Sequence, residues 1–193
     1  KADAIITVSS EGKQEAIKNF RVSEDKVHFI PTGVDVNVFK HKNLRKYIDV
    51  LYVGRFAVKK NLLLLLDVIY SLKKEFSNIS VYLVGGSKDD DDYNRIMEKI
   101  KILNLEKNVK ILFSLQQDKL VNIYNRAKLF MLLSFEEGLP KVLLEASACG
   151  LPAVVSNNSG MKDVIADGEN GFFADINNKD DVVKKASKIL RNN

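Results

Sequence analysis

Cysteine occurs once, as Cys149, so the chain holds neither an internal disulfide framework nor a multi-cysteine zinc site. His28 and His41 are its two histidines, too few for a histidine-rich metal site. One thiol fits a reducing, cytoplasmic compartment. Three prolines and ten glycines exclude a collagen-like or Pro/Gly-rich low-complexity chain. The longest apolar runs, Leu62–Leu66 and Leu129–Leu133, have five residues each, against the roughly 20 needed to span a bilayer as a helix. No signal peptide is legible: Ala2–Ser9 is short and reads as a strand. Neither charge sign dominates, with 30 basic against 25 acidic residues and a net charge of +5. The basic residues are scattered, which suits either a solvated lysine-rich surface or attraction to phosphate-bearing partners. Aromatic residues do not interleave with them as a single-strand nucleic-acid binder requires. Asp89–Asp92 reads as a solvated loop, lacking the glycine and distal glutamate of a calcium loop.

What is present is an ordinary globular balance, 46% hydrophobic and 28% charged over 193 residues. That length can bury roughly 70% of the surface the unfolded chain exposes. It suggests one large domain, or one domain with a fragment of another. The chain opens on Lys1 inside a patterned segment, as a piece of a longer polypeptide would.

Strand-like and helix-like segments alternate. Ala4–Val8 and Val27–Ile30 read as strands flanking a helix at Ser10–Phe20. Pro31–Asp35 reads as a turn and His41–Lys46 as a linker. A regular series then begins, with strands expected at Ile48–Val53, Ile79–Val84, Val109–Leu112, Leu129–Leu133, Ala153–Ser156 and Gly171–Ala174. Helices fall between them, at Leu62–Phe76, Tyr93–Leu103, Asp118–Arg126, Lys141–Cys149 and Gly160–Ala166, and Lys179–Leu190 closes the chain. Continuous apolar strands such as Val81-Tyr-Leu-Val84 are the pattern of a sheet covered on both faces. The expectation is α/β: a Rossmann-like, doubly wound parallel six-stranded sheet ordered 3-2-1-4-5-6. Residues 1–46 read as the end of a preceding domain and a hinge, and 47–193 as the Rossmann-like domain.

In such a sheet ligands bind beyond the carboxyl ends of the strands, where strand order reverses. That point lies between Ile48–Val53 and Leu129–Leu133. The loop after the first runs Gly54-Arg55-Phe-Ala-Val-Lys-Lys60 to Asn61, a candidate helix cap. Arg55 offers a forked grip on phosphate and Lys60 a point charge, unless the loop is an exposed turn with incidental basic residues. The loop after the second contains Glu137, Gly138, Leu139 and Pro140, with Pro140 at a helix start. Gly138 and the first helix amides offer close approach and donors to oxygen-rich ligands. Glu145 lies inside this nearly all-apolar helix and needs donors. A ribose diol or a salt bridge would supply them.

Glu137-Gly-Leu-Pro-Lys-Val-Leu-Leu-Glu145-Ala-Ser-Ala-Cys-Gly-Leu-Pro resembles the glutamate–seven residues–glutamate signature of retaining glycosyltransferases of family 4 (group 1), which have the two-domain GT-B architecture. The resemblance extends over nearly the whole chain. Ala2–Ser10 and Ile30–Asp35 are similar to the family's interdomain segment, Val53–Asn61 to its pyrophosphate loop, and Asp167–Phe172 to its last loop–strand junction. Ser159-Gly-Met-Lys-Asp163 departs from the family's usual two glycines, proline and glutamate.

The resemblance implies a chain that is the carboxyl-terminal, nucleotide-sugar-binding half of such an enzyme. Arg55 and Lys60 would hold the pyrophosphate and stabilise the departing nucleoside diphosphate, and Glu145 would bind the ribose. Glu137, with Gly138, Leu139, Pro140 and Lys141, would hold the transferred sugar. Gly54 would line the phosphates, and Leu115 and Gln116 the base. No metal and no cofactor are implied. The substrate would be a nucleotide sugar, with a UDP-sugar favoured by family frequency. A glycan or lipid-linked acceptor, peripheral membrane contact at the inner face and a role in cell-surface polysaccharide synthesis would come through an amino-terminal domain absent here. Two other readings stay open: a nucleotide-sugar epimerase of this architecture, and a non-catalytic adaptor. A dehydrogenase is disfavoured because Gly54 stands without a G-x-G-x-x-G, and a P-loop enzyme because no glycine-lysine-serine/threonine follows a strand.

Overall fold

The computed structural model describes residues 2–192. A small unit comes first: β1 (Ile5–Thr7), α1 (Ser10–Phe20) and β2 (Val27–Phe29), the two strands parallel with Ile5 opposite Val27. Ser9 caps α1, its hydroxyl accepting from the Gly12 amide at 3.1 Å, and Arg21 ends the helix in the left-handed region.

The series that follows is β3 (Ile48–Val53), α2 (Leu62–Leu72), β4 (Val81–Val84), α3 (Tyr93–Ile102), β5 (Val109–Leu112), α4 (Gln117–Arg126) and β6 (Ala127–Leu132). It continues with α5 (Lys141–Ala148), β7 (Ala153–Ser156), α6 (Ser159–Lys162), β8 (Gly171–Ala174) and α7 (Lys179–Arg191). The six strands are all parallel, in spatial order β5-β4-β3-β6-β7-β8. That is 3-2-1-4-5-6 within the series, so the α/β sheet is the one the alternation predicts. The central strands β3, β6 and β7 are buried on both faces, apart from Asp49 and Lys128, which pair with each other at 2.9 Å. This burial is why β3, β6 and β7 read as apolar runs rather than as alternating patterns.

Boundaries shift modestly. Tertiary packing stops α2 at Leu72, where a turn begins, and α6 is one turn long where seven residues are expected. α2 buries Leu62, Leu65, Leu66, Val68, Ile69 and Leu72 and packs between α3 and α7. Lys99 Nζ reaches Asp67 Oδ2 at 2.6 Å, and Arg191 Nε reaches Glu75 Oε1 at 2.6 Å.

The segment between the two units lies against the sheet domain. Phe39 is buried edge-on to Tyr124, with ring centroids 6.1 Å apart. The Lys42 amide donates to Asn125 Oδ1 at 2.5 Å, and Asn125 Nδ2 donates back to the Lys40 carbonyl at 3.1 Å. The small unit docks at the carboxyl end of the sheet, where the Ser10 amide and hydroxyl both donate to the Asp163 carboxylate, at 2.9 and 2.5 Å. No helix among the described residues is long and apolar enough to cross a membrane.

Candidate functional site

β3 and β6 are neighbours with Val50 opposite Leu129, and from them the chain runs outward to opposite sides of the sheet. Their carboxyl-end loops therefore diverge at one point and leave a cleft. The Phe135 amide donates to the Lys59 carbonyl at 2.9 Å and ties the two loops together.

Lys60 lies on a 3₁₀ turn, Val58–Lys60. Its Nζ pairs with Glu137 Oε1, and both side chains are largely sheltered, at 15% and 10% exposure. The Ser134 hydroxyl donates to the same Glu137 oxygen at 2.8 Å. A cation and a carboxylate thus meet at the crossing of the two loops. Asn61 occupies the N-cap position of α2, but in the left-handed region, and its side chain makes no capping bond. Its contribution is the turn, not the cap read from sequence.

Arg55 takes a different partner from Lys60. Its side chain is 75% exposed and pairs with Asp90, Nη2 to Oδ1 at 3.0 Å. The two cations are each tied to a different carboxylate. The reading of Asp89–Asp92 as a solvated loop holds for Asp89 and Asp91, which are exposed, and fails for the other two. Asp90 and Asp92 are buried, the latter paired with Arg95 Nη1 at 2.8 Å. The Phe56 amide, first, and then the Arg55 guanidinium hold the Asp90 carboxyl below the usual carboxylate range, against burial. Beneath this loop the Tyr52 hydroxyl donates to the Arg55 carbonyl at 2.7 Å. Burial, with the Glu137 and Asp90 charges nearby, raises its pKa and keeps the phenol protonated. Gly86 has φ +68, and a Cβ there would lie 2.7 Å from the Phe56 ring, so glycine satisfies both the backbone and the contact.

Glu145, on α5, is buried and accepts from the Tyr124 hydroxyl at 2.9 Å. The partner is neither lysine nor arginine. Burial raises the Glu145 pKa, opposed by the Tyr124 hydrogen bond and the Lys141 charge. Tyr124 is pushed up in turn, by burial and then by the Glu145 charge. Pro140 is the N-cap of α5, one position earlier than expected, and the helix begins at Lys141. Gly138 and Lys141 are exposed and Leu139 half-buried at its amino end. Gly54 is half-buried beside Tyr52, Leu115 half-buried and Gln116 exposed after β5.

The loop between β7 and α6, noted in the sequence only for its departure from the family pattern, makes contacts to the site that sequence reading did not assign. Asn158 Nδ2 donates to the Ser134 and Phe135 carbonyls at 2.9 and 3.1 Å. The Ser156 hydroxyl donates to Ser134 O at 2.6 Å. A Cβ on Gly160 would fall 1.1 Å from the Gly138 carbonyl oxygen. The sequence signal was there in the Ser-Asn-Asn-Ser-Gly run after a buried strand. A cavity of about 510 Å³ lies over these loops, lined by Lys59, Phe135, Glu137, Gly138 and Asn158, with Ser9 and Glu15 on its far side. A larger one, about 670 Å³, opens beside it over the ends of β7 and β8. The smaller is the candidate site because it touches Glu137 and the switch point. Among the described residues, no cluster of three or more His, Cys, Asp or Glu is placed to hold a metal ion.

The sequence profile of the family described as glycosyl transferases group 1 matches residues 34–193. The mannosylfructose-phosphate synthase of Agrobacterium fabrum is 28% identical, over 93% of this chain and 43% of that protein. The UDP-Gal:alpha-D-GlcNAc-diphosphoundecaprenol alpha-1,3-galactosyltransferase of Escherichia coli is 28% identical, over 96% of this chain and 50% of that protein. The chain thus spans about half the length of these curated relatives. Among solved structures, the sucrose-phosphate synthase of Thermosynechococcus elongatus superposes with a TM-score of 0.85 at 23% identity, over 99% of this chain and 50% of that one. Anabaena HepE in complex with UDP and glucose does so at 0.84 and 19%, over 98% and 54%. These neighbours are GT-B glycosyltransferases, and the fold here is the matching half of that architecture.

Proposed function

We propose, because this chain belongs to the glycosyl transferases group 1 family, that it binds the nucleotide-sugar donor of a retaining glycosyltransferase and that residues 47–193 are the donor domain. Residues 1–46 would then be the end of a preceding domain and its hinge. The observation that carries this reading is the Lys60–Glu137 pair at the switch point, where the loops after β3 and β6 are tied together.

The chemistry follows from the charges. The bond from sugar C1 to the β-phosphate oxygen breaks with its electron pair leaving on the diphosphate. Negative charge therefore grows on the phosphate, and fixed positive groups there lower the barrier. Lys60, Arg55 and the amino end of α5 are such groups, so the reaction needs no metal. Glu137, held by Lys60 and Ser134, is fixed to accept hydrogen bonds from the sugar's hydroxyls. Glu145 already accepts from Tyr124, and as a carboxylate it can also accept from a ribose diol. Gly54, Leu139, Pro140 and Lys141 shape the phosphate and sugar walls, with Leu115 and Gln116 at the base. The acceptor approaches from the half of the relatives' length that these residues do not match. Retention of configuration rests on the glutamate–seven residues–glutamate resemblance and is read by NMR of the product's anomeric centre.

The test is calorimetric titration with UDP, GDP and ADP. Hydrogen bonds to a charged group contribute roughly 1.5–3 kcal/mol, so Glu145→Ala should weaken diphosphate binding about ten- to a hundredfold. Lys60→Ala should weaken diphosphates far more than the bare nucleoside. Failure of the unmutated protein to bind any diphosphate at millimolar concentration would overturn the donor reading and favour a non-catalytic adaptor.

A further inference from the structure

The carboxylate of Asp90 uses both oxygens in opposite directions. Oδ2 accepts from two backbone amides, Phe56 at 2.8 Å and Ser87 at 3.0 Å. Oδ1 accepts from the side edge of the Arg55 guanidinium, Nε at 3.2 Å and Nη2 at 3.0 Å. The Asp90 side chain is 6% exposed and the Arg55 side chain 75% exposed. One end of this unit is therefore fixed in the protein while the other stands in solvent. A carboxylate has about four acceptor sites, and these four donors fill them. A pair with one long, exposed partner adds little to stability, so the two amide bonds stabilise the loop while the arginine bonds need another explanation.

We propose that Asp90 is a positioning residue that holds the Arg55 guanidinium side-on, so that its Nη1/Nη2 end is presented to the donor diphosphate. Arginine has five N–H donors in a rigid fork. Side-on pairing consumes two of them and leaves the end-on pair intact, which is itself a bidentate match for phosphate oxygens. Immobilising a rotamer-rich side chain before the ligand arrives removes an ordering cost from binding. Asp90 thus links the loop after β4 to the phosphate grip of the loop after β3. This inference rests on the reading of Arg55 as a diphosphate contact.

A double-mutant cycle on diphosphate affinity tests it, read by calorimetry with the tightest of UDP, GDP and ADP and with the matching nucleoside. Asp90→Asn is expected to lower diphosphate affinity about three- to tenfold and leave nucleoside affinity unchanged. In an Arg55→Ala background the same change should have no further effect. An equal loss in both backgrounds would overturn the inference, because Asp90 would then act only as a loop clamp. A rise in affinity on Asp90→Asn would also overturn it, since Asp90 would be competing with phosphate for the arginine. Should Asp90→Asn fail to fold, Arg55→Lys carries the test. It keeps the charge and the Asp90 clamp but has no edge to hold, so a several-fold loss is expected and full affinity would refute side-on orientation. If the unmutated protein binds no diphosphate, the donor reading itself fails, a result distinct from any of these.

Discussion

Glu145 sits where burial disfavours its charged form. Its carboxylate is buried at the start of the second apolar turn of α5, with Tyr124 as the hydroxyl donor. Burial raises its pKa, so the folded state binds a proton there more tightly than the unfolded chain does. Its contribution is then most favourable below the ordinary carboxylate range, near pH 4.3, and is lost as pH rises through the raised folded value. Glutamine carries no charge to bury and still accepts from Tyr124. Glu145→Gln should therefore melt about 2–4 °C above the unmutated protein at pH 7.5, the shift that ~1 kcal/mol gives at this length. Melting curves at pH 4 should show the gap closed; a gap that does not depend on pH would refute the burial argument. On the ribose role proposed for Glu145, the same substitution should also weaken nucleotide binding.

Three loop–helix junctions form the candidate site, and they are interlocked. The loop after β6 is pinned on one side by Lys59 and Lys60 and on the other by Asn158 and Gly160. α6 is one turn long, so its approach to Gly138 depends on the missing side chain at Gly160 rather than on helix length. The neighbour of that absent Cβ is backbone, which cannot swing aside. Gly160→Ala should destabilise the protein by about 1–3 kcal/mol through overpacking, read as a fall in denaturant midpoint at constant slope. It should also weaken diphosphate binding, because Glu137 and Gly138 move with the loop. An unchanged midpoint would mean that the loop yields freely and that the interlock is not what holds the site.

On the donor reading proposed above, the molecule as a whole would supply one wall of a cleft. The chain spans about half the length of its curated relatives, and the loops that carry Lys60 and Glu137 follow the carboxyl ends of neighbouring strands, β3 and β6. Transfer requires donor and acceptor in reacting geometry, a positioning effect that contributes roughly 7–11 kcal/mol, and closure over the donor excludes water. The 193 residues alone should bind nucleoside diphosphate yet give no measurable sugar transfer. Calorimetry beside a transfer assay on the same preparation checks this, and robust turnover by these residues alone would refute the two-wall account.

The local patterns of the sequence determine the sheet, because burial on both faces imposes continuous apolar strands such as Val50–Val53, Leu129–Leu132 and Ala153–Val155, and helices must fall between parallel strands. Alternation is compatible with more than one doubly wound order, and the packing realises β5-β4-β3-β6-β7-β8 with its switch point between β3 and β6. The switch point singles out the loops of Lys60 and Glu137, while the pairing of Glu137 with Glu145 is legible only through the family resemblance. Partners distant along the chain are not legible. Asp90 looks like any solvated aspartate until Gly85 and Gly86 let its loop pack on Phe56, and Arg55 lies 35 residues before it. Tyr124 meets Glu145 across 21 residues because α4 and α5 flank the same strand, β6. Gly160 needs to be glycine because Gly138 passes over it. In each case the residue type permits many partners, and the packing of one element on another selects a single one.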